Sequence, residues 1–220
     1  MKEILFFIFS GFLLVACGNP ERVDDSKAVK EGIEDRKVRR ITQTQIMEAT
    51  TNWGKSSVPM LEKSLSEILT KQIKANGIAK AADFCKVSKI PAADSLKSLY
   101  EASVKRLTLS NLPTPRLHPK ENELLSAYRY NSEKKLPIET NIQKSDTFMF
   151  YTTAVVLKEK MCLQCHGKVG TDILEKDFQA IKQKYPNLDS LTNYTLNQPI
   201  GIWSIVFDKK NLVRKIGKKK

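Results

Sequence analysis

Five consecutive residues, Cys162-Leu163-Gln164-Cys165-His166, constrain this chain more than anything else in its 220 residues. Two thiols separated by two residues and followed at once by an imidazole leave few chemistries open. At this spacing each sulfur can add to one vinyl group on neighbouring pyrrole edges of a porphyrin. The adjacent histidine is then held beneath the iron and supplies an axial nitrogen. The pattern is that of covalent c-type haem attachment, with Cys162 and Cys165 as the thioether residues and His166 as an iron ligand. Two other readings compete with it. A disulfide or thioredoxin-like redox motif would leave His166 idle and lacks a clear βαβ unit around it. A Cys₃His zinc site from Cys85, Cys162, Cys165 and His166 would require adjacent residues to bind one small ion side by side.

The N-terminus assigns this chemistry to a compartment. Lys2 supplies a minimal positive start, and Ile4 to Val15 form an apolar run broken only by Ser10 and Gly11. That run is too short for a stable bilayer-crossing helix, which needs about 20 residues. It ends in Leu14-Val15-Ala16-Cys17-Gly18, which resembles the lipobox of bacterial lipoproteins. By that resemblance residues 1–16 are a signal peptide and Cys17 carries a diacylglycerol anchor facing the periplasm. An ordinary signal peptide with an incidental cysteine leads to the same side of the membrane. Attachment of haem c takes place outside the cytoplasm, so the two motifs agree. The 37 Lys and Arg against 24 Asp and Glu, a formal +13, favour acidic partner proteins or an anionic membrane surface. Nucleic acid, the first partner that a basic chain suggests, does not fit an exported one.

The remaining chain reads as one domain behind a tether. Residues 17–37 are charged and small with no apolar period, as a flexible spacer would be. The domain is expected over 38–208, with 209–220 as a basic, solvated tail. Val58, Leu61, Leu65, Ile68, Leu69 and Ile73 recur at helical spacing, and Asn76-Gly77 makes a stop. A second helix is expected from Ile78 to about Ser88, closed by Ile90-Pro91. Its small-residue face of Ile78, Ala81, Ala82 and Cys85 leaves room for something broad and flat. Strand alternation is expected from Tyr100 to Leu109 with a bulge at Lys105-Arg106, then a proline-rich loop over 111–119. Thr147 to Leu157 reads as a strand, and Leu174, Phe178, Ile181 and Tyr185 mark a helix stopped at Pro186. Ile200 to Phe207 is apolar on both faces and so central in its sheet. Helices followed by strands and helices indicate an α+β domain.

His166 takes one face of an iron, and the other face has several candidates. They are His118, Met47, Met60, Met149, Met161 and Cys85. Cys85 leads on its small-residue helical face, although a buried inert core cysteine would look the same.

Several segments in order resemble a bacterial family of single-haem c-type proteins with a PAS-like fold. They are Ala82-Asp83-Phe84-Cys85 with Ile90-Pro91-Ala92, Val104 to Leu109, Leu136-Pro137-Ile138, Cys162 to Gly167 and Gly201-Ile202-Trp203-Ser204-Ile205. Pro115 and Pro119 fit that family's proline-containing loop, whereas Pro113, Thr114 and Leu117 stand where it has Arg, Asn and Asn. The resemblance implies a PAS-like antiparallel sheet with flanking helices, and Cys85 as the iron ligand opposite His166.

On this reading the chain is a monohaem c-type cytochrome lipoprotein acting in electron transfer or redox sensing. A gas or redox sensor would have to signal through a separate partner, because no output segment is evident. A small peroxidase would need a distal acid–base residue, and none stands out.

Overall fold

A computed structural model of the protein describes Lys30 and residues 40–110 and 116–218. The lipobox, Cys17, the tether apart from Lys30, and Pro113 to Pro115 lie outside the described residues. The fold below is that of the unit Arg40–Lys220.

The chain enters through a capped helix. Thr42 Oγ1 accepts from the Gln45 amide at 3.2 Å, and Gln45 Oε1 accepts from the Thr42 amide at 2.8 Å. This capping box starts α1, Gln43–Asn76, 34 residues long. Its buried face is Ile46, Thr50, Trp53, Gly54, Ser57 and Leu61. A Cβ on Gly54 would lie 2.2 Å from the Tyr151 ring, so the helix approaches the sheet at a distance only glycine allows. Pro59 sits inside the helix without ending it. Gly77, at φ 78°, terminates it as the Asn76-Gly77 pair predicts. The helix begins well before the apolar repeat starting at Val58.

The expected second helix is shorter than its sequence suggests. It divides into α2, Ile78–Ala81, and two 3₁₀ turns, Ala82–Cys85 and Val87–Lys89. Pro91 does not simply close this stretch. It opens α3, Pro91–Tyr100, at the position where a missing N–H costs nothing. Tyr100 is therefore helical rather than the start of a strand. Glu101, at φ 54°, reverses the chain into β1.

Four strands form one antiparallel sheet in the order β1-β4-β3-β2. They are β1 Ser103–Thr108, β2 Asn141–Lys144, β3 Phe148–Val156 and β4 Pro199–Asp208. As expected, β4 is central and buried on both faces. The bulge expected at Lys105-Arg106 is absent, since Lys105 pairs with Ser204 and Arg106 with Trp203 in unbroken register. Val104 and Leu107 lie on opposite faces of β1, and both faces are covered.

One sheet face, with Met149, Tyr151, Trp203, Ile205 and Phe207, packs on α1 and α3. The other, with Leu107 and Ile202, receives Leu125 and Tyr128 of α4, Pro119–Glu133. The proline-rich segment thus runs into a helix that the sequence did not announce. Leu117, one of the departures from the family pattern, packs into that same apolar cluster. Beyond β3 come α5, Lys160–His166, and α6, Glu175–Lys184, the latter as predicted.

The basic C-terminus requires a correction. Instead of a solvated tail it forms α7, Lys209–Lys218, with Leu212 only 1% exposed and Ile216 packed on the core. Lysines spaced around one apolar edge keep their charge in water while that edge is buried. The α+β class holds, with a helical N-terminal part and a four-stranded antiparallel sheet flanked by helices.

Candidate functional site

The first half of α1 is core, and its second half is a wall. Glu62, Leu65, Ser66, Leu69 and Ile73 line a cavity of about 840 Å³, counting its open mouth. Facing them are Val155, Val156 and Leu157 at the end of β3, Ile200 and Trp203 of β4, and Arg106 of β1. Ala81, Ala82 and Cys85 add the small-residue side, while Met161, Cys162, Cys165 and His166 come from α5. A second cavity of about 980 Å³ shares Ala82, Cys85, Arg106, Cys165 and His166 with the first. Its far wall is Ile181, Tyr185, Leu188 and Leu191. The shared residues join the two into one broad, mostly apolar cleft.

The four sequence-predicted residues Cys85, Cys162, Cys165 and His166 are all brought to this cleft. His166 is oriented by a backbone group, its Nδ1 lying 2.8 Å from the Leu191 carbonyl oxygen. A carbonyl only accepts, so Nδ1 carries the hydrogen and Nε2 keeps its lone pair for an electrophile in the cleft. Burial depresses the imidazole's proton affinity more than the carbonyl restores it, which favours the neutral ring that metal ligation needs. Gly167 closes the helix end tightly: a Cβ there would lie 2.5 Å from Asp172 Cβ and 2.7 Å from the Leu163 carbonyl.

Cys85, Cys162 and Cys165 are free thiols. Burial pushes Cys165 up to about 12, with the neighbouring Cys85 and Cys162 sulfurs adding to the effect. Burial also raises Cys162. Cys85 belongs to the 3₁₀ turn Ala82–Cys85, which is tied down at both ends. Asp83 accepts from Lys184 and from the Tyr185 hydroxyl, each at 2.8 Å. The Cys85 carbonyl accepts from the Arg106 guanidinium. Among the described residues no three His, Cys, Asp or Glu side chains gather into a metal-holding group. The four candidates are spread around the cleft.

The model of the Tll0287-like family matches residues 25–207. The chain belongs to the Tll0287-like family. A crystal structure of the cyanobacterial haem protein Tll0287 is similar to it, at 17% identity and a TM-score of 0.42, covering 70% of this chain and 92% of that one. No curated protein matches the chain.

The fold of this Tll0287-like chain also sorts the other candidate ligands. His118 is committed elsewhere: its Nδ1 accepts from the Lys120 amide at 3.1 Å to cap α4, and its ring sits 5.0 Å from that of Phe150. Met149 is fully buried in the core, Met47 packs against that core, and Met60 is exposed. Met161 reaches the cleft, where its sulfur accepts from Thr70 at 3.4 Å. Sequence reasoning missed Leu191, because a backbone acceptor has no residue signature. It read Arg106 as half of a bulge, whereas the unbroken register on Trp203 carries its side chain into the cleft. Among the described residues, no helix is long and apolar enough to cross a membrane.

Proposed function

We propose that this chain is a monohaem c-type cytochrome lipoprotein. It would be exported, anchored by Cys17 to a bacterial membrane facing the periplasm, and act in electron transfer or redox sensing. The observation that carries the reading is the His166–Leu191 hydrogen bond, which leaves Nε2 unprotonated on the same helix as both motif thiols. Membership of the family that bears the name of the haem protein Tll0287 supports it.

The residues fit the group. Cys162 and Cys165 would hold haem c through two thioethers, with His166 and Cys85 as axial ligands. Ala81 and Ala82 leave width, while Leu65, Leu69, Ile73 and Val155 keep water out. Bound there, iron porphyrin supplies one-electron chemistry, at a potential lowered by an anionic sulfur ligand relative to His/Met cytochromes. If His166 and Cys85 both held the iron, they would leave it no open site for peroxide. The net +13 steers the protein towards acidic redox partners.

A second reading, a redox or gas (CO/NO) sensor signalling through a separate protein, draws on where Cys85 sits. The one-turn segment that carries Cys85 is held by Asp83 to α6 and by its carbonyl to Arg106 of β1, so a change in what Cys85 binds would be felt by both elements.

The test is a visible spectrum and a denatured intact mass of protein exported from a host that matures cytochromes c. One covalent haem is expected, lost when Cys162 and Cys165 are both changed to Ala, with a thiolate-type ferric spectrum altered in Cys85→Ala. Wild-type protein without covalent haem sinks the reading. Radiolabelled palmitate retained by Cys17→Ala would sink the anchor. Carrier and sensor separate on reduction: rapid self-exchange without loss of the thiolate favours the first, and CO uptake the second.

A further inference from the structure

A half-buried guanidinium in an apolar wall calls for a counter-charge. Among the described residues no carboxylate lies within ion-pair distance of Arg106. One of its five N–H donors goes to the Cys85 carbonyl. Its guanidinium carbon lies 5.9 Å from the centroid of the Trp203 ring, whose own Nε1 is buried with no hydrogen-bond partner. Arg106 lines both cavities and so stands where they meet. On the second cavity's rim Lys86 lies over the Tyr185 ring at 5.4 Å, again with no carboxylate at ion-pair distance among the described residues. Lys184 beside it is matched by Asp83 at 2.8 Å. The other charged side chains lining the first cavity are Glu62, paired with Lys158 at 2.7 Å, and Glu159, which accepts from the Ser66 hydroxyl at 2.9 Å and keeps its negative charge. The unbalanced positive charge is therefore confined to one mouth.

We propose that Arg106 and Lys86 form a carboxylate-receiving mouth, so that the molecule filling the cleft presents an anionic carboxylate there. The proposal rests on the haem reading. In it the carboxylate is a propionate, carried on the edge of the porphyrin opposite the vinyl groups taken by Cys162 and Cys165. Arg106 would then serve two partners at once, the Cys85 carbonyl and the cofactor's acid.

The test compares holoprotein with Arg106→Gln, Arg106→Lys and Lys86→Gln. In Arg106→Gln the covalent haem and thiolate spectrum are expected to persist, while the propionate-bending band in the resonance Raman spectrum falls. Loss of a cation beside the acid stabilises the ferric form. At a fixed redox poise the oxidised-to-reduced ratio should therefore rise roughly tenfold. Arg106→Lys keeps the charge and should hold that ratio within about threefold of wild type. Lys86→Gln changes an exposed residue that does not threaten folding, and should move the ratio in the same direction by a smaller factor. A ratio that falls together with the thiolate signature would show that Arg106 only fixes the Cys85 turn, and overturns the proposal. Unchanged band and ratio in Arg106→Gln and Lys86→Gln overturn it as well. Wild-type protein without haem overturns the functional reading and this proposal with it.

Discussion

The Nδ1 of His166 lies 2.8 Å from the carbonyl oxygen of Leu191, which ends a 3₁₀ turn at Leu188–Leu191. Two further bonds tie the same pair of segments. The Asn193 amide donates to the Gly167 carbonyl and the Tyr194 amide to the His166 carbonyl, both at 2.9 Å. The ring is thus aimed by a segment that follows α6, and not by α5 alone. A backbone acceptor outside the motif fixes the tautomer of His166.

Gly167 makes that docking possible, and Gly167→Ala should show it. The added methyl meets Asp172 and the Leu163 carbonyl, so a loss of about 1–3 kcal/mol is expected in denaturant unfolding. Covalent haem yield should drop in parallel. Undiminished stability would mean that the helix end has more slack than its geometry implies.

Glu121 is 1% exposed and accepts from Ser204 at 2.8 Å, Lys105 at 2.6 Å and the His118 amide at 3.1 Å. Glu121→Gln removes the charge that Lys105 meets and should cost about 1–3 kcal/mol. The cluster lies on the sheet face away from the cleft, so the visible spectrum of loaded protein should not change. A spectral shift would contradict that separation.

Asp83 offers a pH signature. Hydrogen bonds from Lys184, then from Tyr185, hold its carboxyl below the ordinary value of 3.8. A group depressed on folding stabilises the fold above its unfolded value and loses that effect as pH falls through the folded one. The melting temperature of wild type should therefore converge on that of Asp83→Asn as pH drops below about 3.8. A gap that persists undiminished in strong acid would assign Asp83 a role other than charge.

Leu212 separates a docked helix from a free tail. Leu212→Ala should cost about 2–5 kcal/mol in thermal or denaturant unfolding, whereas in a solvated tail it would cost nothing.

What the sequence made legible was whatever repeats. The second half of α1 and α6 follow from apolar periodicity, β3 and β4 from runs of aromatic, β-branched and apolar residues, and Cys162, Cys165 and His166 from their spacing. The first half of α1 escaped because its buried face includes Thr50, Gly54 and Ser57, which carry no hydrophobic signal. Pro91 and Pro119 look like terminators in a sequence, yet each occupies the first turn of a helix. Cys85 was singled out by its small neighbours, and Ala81 and Ala82 do line the cleft beside it. Arg106 and the Leu191 carbonyl were not legible, because each acquires its place only through pairing with a distant segment.

The 34 residues of α1 also impose a constraint of phase. Ile46 to Leu61 press on the sheet, and Leu65, Leu69 and Ile73 face the cleft from the same uninterrupted rod. Each residue advances the helix by about 100°. One residue inserted or deleted between Leu61 and Leu65 would leave the core seated but turn every later side chain a quarter-turn or more out of the wall. Lineages of this chain should therefore vary freely in the identity of apolar residues along α1, and hardly at all in their number.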